Sequence, residues 1–217
     1  MARQIEKAGE NRVAGVVLAG GEGKRIGGGK PFRALLGRPL IGHVIDRISP
    51  QVDKLWLSAR QGSDQLARFG LPVVEDSFSP LGRGPLAGIV SAMDAAAGEG
   101  FDALAVFPCD VPFLPGGLVG WLAGLLDRLD APGVVVSSAG RLHPTIGLWR
   151  VEARRVLGEA LRDGHYRLKA VFDAAGAIAI DCAEGEIGPD CLFNVNTVAD
   201  LSAAELLGRD NKRSCLQ

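Results

Sequence analysis

Short apolar runs of β type alternate with stretches of helical periodicity along most of this 217-residue chain, and that alternation restricts its fold more than any other feature. Strands are predicted at Val13–Leu18, Lys54–Ser58, Pro72–Val74, Ala103–Phe107, Val134–Ser137, Thr145–Trp149 and Ala177–Ile180. Helices are predicted at Leu40–Ile48, Asp64–Phe69, Leu86–Ala97, Gly117–Leu129, Glu152–Leu161, Arg167–Ala174 and Val198–Leu207. Elements in this order build βαβ units around a mostly parallel sheet with helices on both faces, a three-layer α/β fold of Rossmann-like type. No break in composition divides the chain, so residues 12–208 are expected to form a single domain, with loose tails at 1–11 and 209–217.

In such a sheet the ligand sits outside the carboxyl ends of the strands. The first strand runs into Leu18-Ala19-Gly20-Gly21-Glu22-Gly23-Lys24-Arg25-Ile26-Gly27-Gly28-Gly29-Lys30. Glycines free the backbone for positive φ and remove the Cβ atoms that would hold a ligand away. Successive N–H groups in such a turn can cradle an anion. Lys24, Arg25 and Lys30, followed by Arg33 and Arg38, face a single opposing charge, Glu22. The combination suits a polyphosphate. It is not a P-loop, because Lys24 stands where the first glycine is needed and Pro31 where a Ser or Thr is needed. It is not a dinucleotide fingerprint either, since Ile26 replaces the third glycine.

The remaining composition narrows the partners. A net charge of −1 argues against broad nucleic-acid binding, and the positive charge is concentrated where a small anionic ligand needs it. Mean hydropathy is +0.17, and the most apolar stretch, Leu118–Leu126, is too short to span a bilayer. The start Met-Ala-Arg-Gln-Ile-Glu-Lys has no apolar core, so no membrane association or signal peptide is expected. Cys109, Cys182, Cys191 and Cys215 lack C-x-x-C spacing and read as reduced thiols of a cytoplasmic protein.

Asp110 leaves the end of the fourth strand between Pro108 and Pro112, which hold the chain extended. A carboxylate there can bind Mg²⁺, which favours one or two carboxylates plus phosphate oxygens and waters; capping of the following turn is the plainer reading. As groups at a solvent-facing edge, Lys30 and Asp110 are expected to matter for turnover and little for stability. Glu75-Asp76 puts a second acidic pair on that edge, although an exposed Asp-Ser turn explains it equally. Gly84-Pro85-Leu86-Ala87-Gly88 reads as a helix start whose small residues admit close approach of a base or backbone. Asn194 and Asn196 fall on one side of an extended segment, where amides can bind an acceptor. Thr197 and Asp200 also have capping-box spacing, so Asn196 has a purely structural alternative. His143 precedes Pro144 in a predicted loop between two strands and reads as a packing or hydrogen-bonding residue.

The loop resembles the signature of nucleotidyltransferases that join a nucleoside triphosphate to a phosphorylated acceptor. Glu75-Asp76-Ser77, Gly84-Pro85-Leu86-Ala87-Gly88, Pro108-Cys109-Asp110-Val111-Pro112, His143-Pro144-Thr145 and Asn194-Val195-Asn196-Thr197 narrow the resemblance to the molybdenum cofactor guanylyltransferases. The resemblance implies a nucleotidyltransferase fold and transfer of GMP from GTP to the phosphate of molybdopterin or Mo-molybdopterin, with Mg²⁺ as cofactor. It also implies transient contacts with other proteins of cofactor assembly. On this resemblance Arg25, Lys30 and Asp110 are catalytic, with Asp110 the metal ligand. Leu18, Ala19, Gly20, Gly21, Lys30, Ser58, Asp76 and Asp110 bind GTP, and Asn194 and Asn196 bind the acceptor. The chain departs from the family at Ser58, where an asparagine is common, and at Gly27-Gly28-Gly29, where an acidic residue often precedes the lysine. A cytidylyl- or sugar-phosphate nucleotidyltransferase, or a non-catalytic nucleotide-binding module, remains an alternative on sequence alone.

Overall fold

The computed structural model describes residues 11–21, 28–59, 64–76, 84–185 and 187–210. Its strands are β1 (Val13–Leu18), β2 (Ala34–Leu35), β3 (Arg38–Pro39), β4 (Lys54–Ala59), β5 (Val73–Glu75), β6 (Ala103–Pro108), β7 (Gly133–Ser138), β8 (Arg141–Arg150) and β9 (Ile178–Asp181). The helices are α1 (Leu40–Ile48), α2 (Pro85–Gly98), α3 (Leu118–Arg128), α4 (Arg154–Arg162), α5 (Leu168–Ala174) and α6 (Val198–Asp210). Asp64–Phe69, predicted as a helix, forms a 3₁₀ turn.

A seven-stranded sheet has the order β5-β4-β1-β6-β8-β7-β9. All its pairings are parallel except those of β8, which is antiparallel to both β6 and β7. This mixed sheet with helices on both faces is the expected architecture. Alternation along β1 separates two cores. Val17 packs with α1 and α3, whereas Ala14 and Val16 pack with α2, α4 and α5. Helix α2 has Pro85 in its first turn and ends in a Schellman motif, in which Phe101 N–H reaches Ala96 O at 3.0 Å and Gly100 N–H reaches Ala97 O at 3.2 Å.

Two details differ from expectation. His143 is not in a loop: β8 begins at Arg141, and His143 pairs with Val136 beside an irregularity that skips Pro144, Thr145 and Ile146. Proline has no N–H for the ladder, which accounts for the break at that place. The residue pairs β2 and β3 form a separate antiparallel ribbon, too short to leave a periodic signal.

The ribbon anchors the last helix. Its turn holds Leu36 at φ 50° and Gly37 at φ 79°. A leucine rarely adopts that conformation, and here its side chain lies against α6, in space that a Cβ on Gly208 would need. Leu35, Leu40, Phe113, Val195 and Ala204 form a third, smaller core beneath it. Helix α6 continues to Asp210, past its predicted end at Leu207 and into the predicted tail at 209–217, while residues 1–10 and 211–217 of the two predicted tails lie outside the described residues. No described helix is long and apolar enough to cross a membrane.

Candidate active site

Adjacent strands β1 and β6 end side by side, with Leu18 opposite Pro108. The end of β1 is tied into the sheet: Ala19 N–H donates to Ser58 O at 2.8 Å, and Leu18 O accepts from Cys109 N–H at 3.2 Å. Gly20 and Gly21 then emerge exposed. Arg25, together with Lys24, lies outside the described residues. The chain returns through Gly28 and Gly29, at φ 78° and 58°, a region that favours glycine. This turn delivers Lys30 to the start of a 3₁₀ helix.

Lys30 is not a solvated loop cation. It is 9% exposed, and its ammonium is paired with Oδ2 of Asp110 and donates to Asn196 Oδ1 at 2.7 Å. Asp110, also 9% exposed, is likewise not on an open edge. Three segments far apart in sequence therefore meet at one ammonium group. Among the described residues, the other cations near the loop have partners elsewhere: Arg33 donates to Gly28 O at 3.2 Å, and Arg38 pairs with Asp46 of α1 at 2.7 Å.

Asn194 and Asn196 play different parts. Asn196 faces the lysine. Asn194 keeps a buried Oδ1 with no partner, and both asparagines line a groove of about 400 Å³ with Ser138, Arg141, His143, Phe193 and Asp200. Burial first, and the Arg141 charge second, hold His143 below its ordinary pKa, so it faces the groove as a neutral ring. Val195, between the two asparagines, is fully buried in the third core and donates its N–H to Asp110 O at 2.9 Å. The predicted capping box is present, with Asp200 N–H donating to Thr197 Oγ1 at 3.1 Å and Thr197 N–H to Asp200 Oδ2 at 2.8 Å.

Ser58 and Asp76 stand apart from this cluster. Ser58 is 4% exposed and packs under α2, its Oγ only 2.4 Å from where a Cβ on Gly88 would sit. Of the small residues of 84–88 expected to admit a base or backbone, Gly88 lies against Ser58 and Leu18. Asp76 continues the β4–β5 ladder, its N–H reaching Ala59 O at 3.1 Å, at the sheet edge two strands and roughly 10 Å from β1. Sequence reasoning did not single out Arg141, whose only signal was its place two residues before His143-Pro144. Cys109, next to Asp110, has its thiol pKa pushed up to about 12 by burial and then by the Asp110 charge, which rules it out as a nucleophile.

One carboxylate oxygen in the site lacks a partner, the buried Oδ1 of Asp110. No group of three or more metal-binding side chains occurs among the described residues. A single carboxylate with an unpartnered oxygen fits a Mg²⁺ ion that takes its remaining ligands from phosphate and water.

Residues 15–181 match the model of the MobA-like NTP transferase domain. A molybdenum cofactor guanylyltransferase of Cereibacter sphaeroides is 38% identical over 201 residues, covering 91% of this chain and 98% of that protein. A protein of the same name from Rhodopseudomonas palustris is 40% identical over 202 residues, covering 91% and 95%. The solved molybdopterin-guanine dinucleotide biosynthesis protein A of Archaeoglobus fulgidus superposes with a TM-score of 0.77 at 22% identity, covering 91% of this chain and 99% of that one. A cytidylyltransferase from Thermus thermophilus shares the fold alone, at a TM-score of 0.65 and 17% identity. With a matching domain model and close relatives along nearly its whole length, the chain belongs to the molybdenum cofactor guanylyltransferase family of MobA-like NTP transferases.

Proposed function

We propose that this protein transfers GMP from GTP to the phosphate of molybdopterin or Mo-molybdopterin and releases pyrophosphate. The observation that carries this reading is the Lys30 ammonium held between Asp110 and Asn196, with Asn196 in turn lining the groove beside Asn194. An oxygen of the acceptor phosphate attacks the α-phosphorus of GTP, the bond to the β-phosphate oxygen breaks, and pyrophosphate carries away the electron pair. No protein nucleophile is needed, since phosphoryl-type transfer works by positioning and charge stabilisation. The triphosphate draws Lys30 from Asp110, and the ammonium then offsets charge that grows as the α-phosphorus is attacked. The carboxylate so released would hold Mg²⁺ with the phosphates, and the ion would supply further charge stabilisation. Arg25 and the Gly20-Gly21 turn belong to the nucleotide side, and Asp76, two strands away, to the base or ribose. Asn194 and the groove beside it receive the acceptor.

The decisive measurement is pyrophosphate release with molybdopterin and each of GTP, CTP, UTP and ATP, with and without EDTA. Release with GTP alone, abolished by EDTA and restored by Mg²⁺, is expected. Release with CTP alone would replace guanylyl by cytidylyl transfer, and GTP binding without release under all conditions would leave a non-catalytic nucleotide-binding module.

A further inference from the structure

The capping box of α6 makes one bond more than a helix cap requires. Reciprocal bonding between Thr197 and Asp200 already satisfies the helix start. Asp200 Oδ2 accepts in addition the N–H of Asn196 at 2.9 Å, outside the helix. The side chain of that same Asn196 takes the Lys30 ammonium at 2.7 Å. On the other side, Val195 is buried and bonded to the backbone of Asp110. Asn196 is thus pinned between the metal-candidate segment and the α6 carboxylate. The Asn196 N–H is the main cause of a lowered Asp200 pKa, and the Lys30 charge contributes, so the carboxylate stays ionised at neutral pH.

We infer that Asp200 is a positioning residue for the transfer reaction, fixing Asn196 and through it the Lys30 ammonium. A lysine has a flexible four-carbon stem and no preferred fork geometry, so its charge is useful at one phosphate only if something else fixes it. Asn196 provides the acceptor, and Asp200 keeps that acceptor aimed. Helix α6 is then part of the catalytic apparatus without touching the reacting atoms. The inference rests on the reading of Lys30 as the residue that meets the triphosphate.

The test compares Asp200→Ala and Asp200→Asn with Thr197→Ala, which loses the Oγ1 cap but keeps both carboxylate bonds. Turnover is measured with GTP and molybdopterin. Separately, acylation of Lys30 in the ligand-free protein is followed by peptide mass spectrometry, with Lys54 and Lys169 as internal references. Asp200→Ala is expected to lower kcat about tenfold or more while KM for GTP changes less than about threefold. Lys30 in that variant should be acylated at least about threefold faster, with the reference lysines unchanged. Thr197→Ala should lose comparable melting temperature yet keep kcat within about twofold and Lys30 protected. Asp200→Asn, whose amide oxygen still accepts hydrogen bonds, should fall between and carries the test if the alanine variant does not fold. Equal losses of kcat in the Asp200 and Thr197 variants, or unchanged Lys30 acylation in the Asp200 variants, overturns the inference. Absence of GTP turnover in the parent protein refutes the proposed function instead, and the acylation comparison still decides the role of Asp200.

Discussion

Replacing Lys30 by methionine should cost stability as well as activity. The side chains of Lys30 and Asp110 are only 11% and 12% exposed, and among the described residues the ammonium partners Oδ2 of the Asp110 carboxylate, whose other oxygen is buried and unbonded. Removing one member of a fully buried pair costs about 3–5 kcal/mol, because a charge is left uncompensated. With about a tenth of each side chain still reached by water, about 2–3 kcal/mol is a better figure here. In a domain of this size that lowers Tm by about 4–12 °C. Neutralising both members removes the stranded charge, so Lys30→Met combined with Asp110→Asn should regain more than half of the loss. The cycle is completed by Asp110→Asn alone and read by urea and thermal denaturation beside pyrophosphate release. All three variants should lack turnover, while the coupling free energy should be about 1 kcal/mol or more. A Lys30→Met protein that melts within about 1 °C of the parent, or single-variant losses that simply add, would show that the pair contributes nothing to the ligand-free fold.

Asn194→Ala should raise KM for the acceptor while GTP binding and Tm stay near parental values, because its buried Oδ1 has no bond to lose; a matched loss of GTP affinity and stability would make Asn194 a structural residue. Gly88→Ala should destabilise by about 1 kcal/mol or more, and Ser58→Ala in the same chain should restore most of it by clearing the Oγ that the new Cβ meets. Urea denaturation of the two proteins checks this, and an equally unstable double variant counts against the packing described. Cys109 should resist iodoacetamide in the folded protein at mildly alkaline pH, given a thiol pKa of about 12; rapid native-state alkylation would contradict its burial. His143 binds protons less readily in the folded protein than in the unfolded chain, so the stability tied to its neutral form is complete above its ordinary pKa and declines as pH falls below it. His143→Gln should flatten that part of the pH–stability curve, and an unchanged slope between about pH 7 and pH 5 would remove His143 as its source.

The sheet was legible in the sequence because its buried strands are continuous apolar runs and its helices carry clear starts and stops. Val13–Leu18 and Leu40–Ile48 even have their predicted limits. The reversed direction of β8 was not legible, since apolar runs do not record strand polarity. The ribbon β2–β3 was missed because two residues per strand are too few to show a period. At the site, the residue types were readable and their surroundings were not. Nothing in the spacing of Lys30, Asp110 and Asn196 says that they converge, because their meeting depends on how β1, β6 and α6 pack. Burial, which makes the Lys30–Asp110 pair a matter of stability, is a property of that packing. The same holds for the two asparagines, which fall on one side in sequence and line one groove, yet of the two it is Asn196 that bonds the lysine.

The third core has a consequence for the order of events at the ribosome. Leu35, Leu40 and Phe113 are synthesised well before Val195 and Ala204, the residues that cover them. An emerging chain can therefore pair all the strands of its large sheet while Lys30 and Asp110 still lack Asn196 above them. Only when α6 docks onto the ribbon are the apolar cluster and the lysine closed off by the same movement. The ability to act arrives with the last helix to be translated among those described, so a polypeptide interrupted late in synthesis would have the sheet of an enzyme and an unfinished site. Its uncovered apolar patch would present the kind of surface by which chaperones and proteases recognise incomplete chains.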